Sequence, residues 1–252
     1  MEFNYHTHTT RCHHAQGEDR EYVEAAIRGG MKTLGFSDHA PYLFKDEKFC
    51  SAHRMEKELL HEYAESVRSL QKEYAKDIRI LLGFELEYYP DLHKDEMTFL
   101  KAVDPDYIIM GQHFLGNEID QPYSGVLHED KFLTRYVSQV LEGLETGDFL
   151  YLAHPDLAGY DFSPEHVDKE YRRLCEGAKR LGIPLEINLL GMRGKRHYPD
   201  KRLFAIAADV GNEIIIGYDA HDPYSLQDDT FEKRALQMVD ELQLQLITKP
   251  IV

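Results

Sequence analysis

The chain has 252 residues, enough for one domain with a full hydrophobic core. It carries 45 acidic against 29 basic residues, a formal charge of −16. A surface of that sign suits neither nucleic-acid backbones nor anionic membranes, and no apolar run approaches the length of a membrane span.

Short apolar runs alternate with longer amphipathic ones. The first strand is expected over residues 3–6, followed by a helix over 18–28 with Tyr22, Val23, Ala26 and Ile27 on one face. Gly29-Gly30 stops that helix, and residues 33–36 form the second strand. A long helix is expected over 55–74, then the clearest strand, 78–84 (IRILLGF), and a helix over 91–102. Strand 107–110 precedes a helix over 130–144, and strand 149–153 precedes a helix over 163–181. Ser163-Pro164 suits that last start: serine caps, and proline fits the first turn because its missing N–H has no partner to lose. Strands 184–188 and 213–217 flank a helix over 200–210, and a final helix covers 231–241.

These are seven β-then-α units in a single domain over 1–252, with no linker and no close repeat. Strands alternating with helices imply a parallel sheet, because each crossover returns the chain to the same end. Seven units suit a closed barrel slightly short of eight, or an open doubly wound sheet. No G-x-G-x-x-G follows the first strand, so a dinucleotide site is unsupported. Cys12, Cys50 and Cys175 are scattered, with no C-x-x-C pair, and do not form a disulfide framework. No signal-peptide pattern follows Met1, so the expected location is the cytoplasm.

The metal-type side chains fall at strand ends. His6 and His8 close the first strand, Ser37-Asp38-His39 the second, and Glu85 and Glu87 the third. Gly111-Gln112-His113 follows the fourth, His154 the fifth, and Tyr218-Asp219-Ala220-His221 the last. In a parallel barrel those carboxyl ends share one face, where active sites sit. Neutral imidazole binds zinc, iron and manganese, and carboxylates bridge ions. His6 and His8 are two apart and point to one side of a strand, as do Asp219 and His221. A lone histidine is more often an ordinary hydrogen-bonded group, and that is the main expectation for His13, His53, His61, His93, His128, His166 and His197. His53 and His128 lie in long loops over the same face and are candidate substrate contacts.

With these residues in view, the chain resembles the PHP (polymerase and histidinol phosphatase) superfamily, histidinol-phosphatase branch. The matching pieces are His6-Thr7-His8 with His14, Ser37-Asp38-His39-Ala40-Pro41, Gly83-Phe84-Glu85 and Gln112-His113-Phe114, then Ala153-His154-Pro155, Gly191-Met192-Arg193 and Asp219-Ala220-His221. The resemblance implies a distorted (β/α)7 TIM-like barrel holding two to three zinc, iron or manganese ions. Carried over by position, it assigns His6, His8, Glu85 and Asp219 to one ion. A second shares Glu85 and adds His113 and His154, and a third takes His14, His39 and His221. Many members begin the motif with Asp two residues before the first His, where this chain has Asn4, and carry Ser where it has Tyr218.

The activity so implied is hydrolysis of a small phosphate ester, L-histidinol phosphate, by a metal-bound hydroxide, in histidine biosynthesis. Asp219 or a metal-bound water is expected to protonate the leaving alcohol. Arg193, after the sixth strand, is expected to bind phosphate through its planar fork, with Arg54 the second choice. Two other readings keep the ligand set: a PHP phosphoesterase acting on another small ester, a phosphodiester or phosphotyrosine, or a non-catalytic metal-binding module.

Overall fold

The computed structural model describes residues 1–46, 48–119, 122–159 and 162–252. Seven strands and eight α-helices occur among them: β1 (Phe3–Asn4), α1 (Asp19–Arg28), β2 (Thr33–His39), α2 (Leu60–Glu73), β3 (Arg79–Leu86), α3 (His93–Leu100), β4 (Tyr107–Met110), α4 (Asp130–Leu144), α5 (Pro164–Leu181), β5 (Leu185–Asn188), α6 (Leu189–Arg193), α7 (Lys201–Val210), β6 (Glu213–Gly217), α8 (Thr230–Leu242) and β7 (Gln245–Leu246). Every strand pair is parallel, in two curled sheets ordered β1-β2-β3-β4 and β5-β6-β7. Isolated parallel bridges connect the sheets on both sides, Met110 to Leu152 to Leu185 on one and Thr7 to Ala220 on the other.

Local chemistry sets the element ends. Gly182 and Gly211 end α5 and α7 in the left-handed conformation that lacks a penalty for glycine. The helices are amphipathic, and their apolar faces form the large core with the sheets' outer faces. A second, smaller core joins Phe3, Tyr5, Leu81, Tyr107, Ile109, Tyr151, Ala153 and Ile215. It draws from strands of both sheets and lies one step below the residues of the site.

Two strand expectations need correction. Residues 149–153 pair as a bridge at Leu152 and not as a full strand, although ladder hydrogen bonds join them to both neighbours (Leu150 N to Ile108 O 2.8 Å, Ala153 N to Met110 O 2.8 Å, Leu152 N to Pro184 O 3.0 Å). The first strand stops at Asn4, because the Asn4 side chain replaces the ladder: its Oδ1 accepts from His6 N (3.2 Å) and Tyr218 N (3.0 Å), and its Nδ2 donates to His6 O (3.1 Å). Two elements were not anticipated. Helix α6 is started by the Asn188 side chain, which accepts from Gly191 N at 2.9 Å, and β7 is too short to leave a periodic signal.

Candidate metal centre

Alternation along the strands aims the carboxylates. Leu81 faces the inner core, so Glu85, four residues on, faces the same side. Ile215 and Asp219 repeat that relation after β6. The carboxylates need room on the neighbouring strands. A Cβ on Gly111 would lie 1.7 Å from Glu85 Oε1, and one on Gly217 would lie 1.7 Å from Glu186 Oε1. Glycine is therefore required at both positions.

Four atoms converge at the centre. His6 Nε2 lies 3.5 Å from Glu85 Oε2 and 3.6 Å from Asp219 Oδ1; His8 Nε2 lies 3.5 Å and 3.2 Å from the same two oxygens. All four are buried, and none has a hydrogen-bond partner. Orphaned buried polar atoms are costly. A tetrahedral ion with bonds of about 2.1 Å has ligand edges of about 3.4 Å. The spacing fits such an ion, and two imidazoles with two carboxylates are the donors it takes.

The remaining predicted ligands surround this point. His39 Nδ1 is 3.0 Å from Glu85 Oε2, as the register pairing His39 with Glu85 dictates. On the other side, His154 Nε2 is 2.8 Å and His113 Nε2 3.6 Å from Glu85 Oε1. The His8 ring is 4.1 Å from that of His221, which is 4.8 Å from that of His14. Ligand atoms of His8, His39 and His221 lie within 4.8 Å of one another, as do those of His6, His154 and Asp219. All nine predicted ligands are thus in one cluster. His13 is not: it points outward, with Nε2 3.3 Å from Glu56.

A further tier orients the ligands. Glu186 Oε1 takes His6 Nδ1 at 2.7 Å, and its Oε2 accepts from His154 N (3.0 Å) and Asn188 Nδ2 (2.9 Å). Asn188 also donates to Asp219 Oδ2 at 3.0 Å. His8 Nδ1 is 3.3 Å from Asp38 Oδ1. His14 Nδ1 donates to Cys12 O at 2.6 Å. Fixing one ring nitrogen leaves the other free for an ion. Two candidate ligands occupy the left-handed region rarely used outside glycine, Asp219 (φ 49) and His154 (φ 28), a strain found at functional sites.

Opposite charges in the cluster hold its carboxylates ionised. Burial pushes the Glu85 carboxyl up, but His113, His39 and His6 outweigh it and hold the group well below the usual range. Asp219 is held down in the same way, against burial, by His6, His221 and His8. Burial disfavours a charged His6, yet Glu186, Asp219 and Glu85 raise it to about 10. Burial, then His221 and His8, lowers His14 to about 4, which leaves a neutral imidazole at pH 7.

The cluster floors a cavity of about 610 Å³ whose walls include His53, Arg54, Phe114, Tyr123, Leu157, Leu190, Arg196 and Tyr198. Arg54 is buried and fully engaged, with Glu87 at 2.6 Å and Glu118 at 2.7 Å. Burial opposes ionisation of Glu87, but Arg54 and His113 bring it down to about 2. Arg193 does not line the cavity. Helix α6 turns it onto the Phe231 ring, 5.5 Å from the centroid, with Nη2 3.5 Å from Ser225 O. Arg196, three residues later, lines the cavity and bonds the Tyr198 hydroxyl. His128 is also elsewhere, on Val126 O at 3.1 Å. Reading from strand ends missed Arg196 and Glu186. Glu186 had a signal, a carboxylate inside the otherwise apolar run Pro184-Leu185-Glu186-Ile187. Arg196 had none, since it shares a basic stretch with Arg193 and Lys195.

Fold and centre together define a metal-site protein on a parallel α/β sheet. A PHP domain model matches residues 4–189, and the chain belongs to the PHP domain family. It is 31% identical over 226 residues, 86% of this chain and 85% of the other, to a probable histidinol-phosphatase of Deinococcus radiodurans. It is 30% identical over 115 residues, 44% of this chain and 43% of the other, to the histidinol-phosphatase of Bacillus subtilis. The histidinol phosphate phosphatase of Lactococcus lactis, solved with zinc, L-histidinol and phosphate, superposes with TM-score 0.76, covering 98% of this chain and 95% of that one at 18% identity. That last likeness is one of fold.

Proposed function

We propose that this protein is a histidinol-phosphatase, a phosphoric monoester hydrolase that converts L-histidinol phosphate to L-histidinol and phosphate in histidine biosynthesis. The observation that carries the reading is the set of orphaned atoms on His6, His8, Glu85 and Asp219, 3.2–3.6 Å apart across the set, at the floor of an aromatic-walled cavity. The similarity to the Deinococcus radiodurans protein over most of both chains supports the substrate. The distorted (β/α)7 barrel is our reading of the fold, supported by the bridges at Leu152 and at Thr7 and Ala220. A cytoplasmic location belongs to the same reading and is supported by three unpaired cysteines.

Two to three zinc, iron or manganese ions are proposed, on His6, His8, Glu85 and Asp219, on Glu85, His113 and His154, and on His14, His39 and His221. Bound there, such ions supply Lewis acidity and an activated water at neutral pH. The chain's own groups do the rest. Arg196, steadied by Tyr198, is placed to hold phosphoryl oxygens through its planar fork. This replaces Arg193, which faces Phe231. Arg54 acts on the site through Glu87, whose carboxylate accepts from the His113 and Phe114 backbone N–H groups at 3.1 and 2.9 Å. The proton given up by the attacking water returns to the leaving alcohol oxygen as the phosphorus–ester bond breaks, and Asp219 or a metal-bound water would carry it. Phe114, Tyr123, Leu157 and Leu190 form the wall against which that alcohol rests.

Phosphate release from L-histidinol phosphate, beside a phosphodiester and phosphotyrosine, tests the reading. The expected result is a kcat/KM at least 100-fold higher for histidinol phosphate; equal or better turnover of either competitor would reject the substrate assignment.

A further inference from the structure

A second opening, a groove of about 450 Å³, lies beside the metal centre between α6, the 195–201 segment and α8. Four cations line it, Lys195, Arg196, Lys201 and Arg234, against a single carboxylate, Glu241. That carboxylate is already occupied, by Lys201 Nζ at 2.7 Å and Gln237 Nε2 at 3.0 Å. Lys195 and Arg234 have no carboxylate ion pair among the described residues, and Arg196 beside them bonds the Tyr198 hydroxyl and is drawn toward Asp219. Two unpaired cations beside Arg196 in one groove stand out on a chain of charge −16. Mutual repulsion among them favours an anion in the groove. The backbone also works to present it: Lys195 takes φ 51, a left-handed conformation that costs a non-glycine residue of order 1 kcal/mol or more. Arg196 and Tyr198 line both this groove and the metal-floored cavity, so the two openings share a wall.

We infer that the groove is an outer subsite for a phosphate dianion, in which Lys195 and Arg234 hold the anion and Arg196 links it to the metal centre. The inference rests on the phosphatase reading for its ligand, carried as ester on the way in or as inorganic phosphate on the way out. On a strongly acidic protein a local positive path raises the concentration of an anion where it must enter, and salt weakens that effect.

The test uses the metal-loaded 252-residue protein and the double variant K195Q/R234Q, whose changed side chains are exposed and do not line the metal-floored cavity. Inorganic phosphate titrated calorimetrically should bind wild type in two events and the variant in one. With histidinol phosphate, the variant's KM should rise about fivefold with kcat within twofold, and its kcat/KM should depend less on ionic strength. A higher KM with unchanged inhibition by phosphate assigns the groove to substrate; the converse assigns it to product. Matching isotherms for variant and wild type would overturn the subsite, as would a fall in kcat at constant KM. Absence of turnover by wild type would instead remove the phosphatase reading, while the isotherms still decide the groove.

Discussion

Glu186 Oε1 lies 2.7 Å from His6 Nδ1, so a carboxylate on β5 fixes the imidazole that follows β1. Strands β1 and β5 belong to different sheets, and the same carboxylate also accepts from His154 N. It therefore orients a ligand on each side of Glu85. Outer-tier partners of metal-bound histidines are worth about 10–100-fold in affinity. Glu186→Gln should weaken retention of the most tightly held ion by that factor against a competing chelator, with the circular dichroism spectrum unchanged. Equal metal retention in the two proteins would remove Glu186 from this role.

His14 and His13 are adjacent and unequal. His14 stacks within 4.8 Å of His221, whereas His13 reaches out to Glu56. His14→Ala should lose about one metal equivalent and at least ten-fold in kcat, as loss of a metal ligand implies. His13→Ala should keep its metal and its rate. Elemental analysis of both variants checks this, and the reverse order would misplace the third ion.

Arg196 and Arg193 make a similar pair. Arg196→Ala should raise KM or lower kcat by ten-fold or more, since it removes a charge-assisted contact to phosphate of roughly 1.5–3 kcal/mol. Arg193→Ala should leave kinetics within twofold and lower the thermal midpoint slightly, through lost packing on Phe231. Steady-state kinetics that implicate Arg193 and spare Arg196 would contradict the arrangement.

Glu96 predicts a pH effect. It is fully buried, and its Oε1 has no hydrogen-bond partner. Burial pushes its carboxyl up to about 8, against the opposing pull of the Leu43 N–H and Arg54. An unfolded glutamate ionises near 4.3. Between those values the folded chain holds a proton that the unfolded chain has lost, so this group's contribution falls as pH rises. Glu96→Gln keeps the acceptor for Leu43 and removes the titration. Its stability relative to wild type should be near zero difference at pH 4 and grow to roughly 1–3 kcal/mol in its favour at pH 8. Denaturant unfolding across that range measures it, and a pH-independent difference would show that Glu96 does not titrate there.

The parallel α/β plan was legible because helix and strand periods differ along the chain, and glycine and proline punctuate them. The ligand cluster was legible because histidine and carboxylate recur at strand ends, which parallel pairing brings to one face. Less visible was whatever depended on local side-chain bonds. Asn4 ends β1 by replacing the ladder with its own amide, and Asn188 starts a helix that turns Arg193 away from the cavity. Leu152 pairs on both sides and its neighbours share the ladder hydrogen bonds, but the pairing stops short of a full strand just before His154. These outcomes depend on partners distant in sequence, such as Tyr218 for Asn4.

The central claim is that the orphaned atoms on His6, His8, Glu85 and Asp219 hold an ion on which hydrolysis of L-histidinol phosphate depends. The most direct measurement is phosphate release from that ester by one sample, taken before chelation, after chelation, and after re-addition of zinc or manganese, with metal content recorded each time. The account predicts more than one transition-metal equivalent per chain at the start, loss of activity with the metal, and recovery on its return. Full activity in metal-free protein, or no release by metal-replete protein, would contradict it.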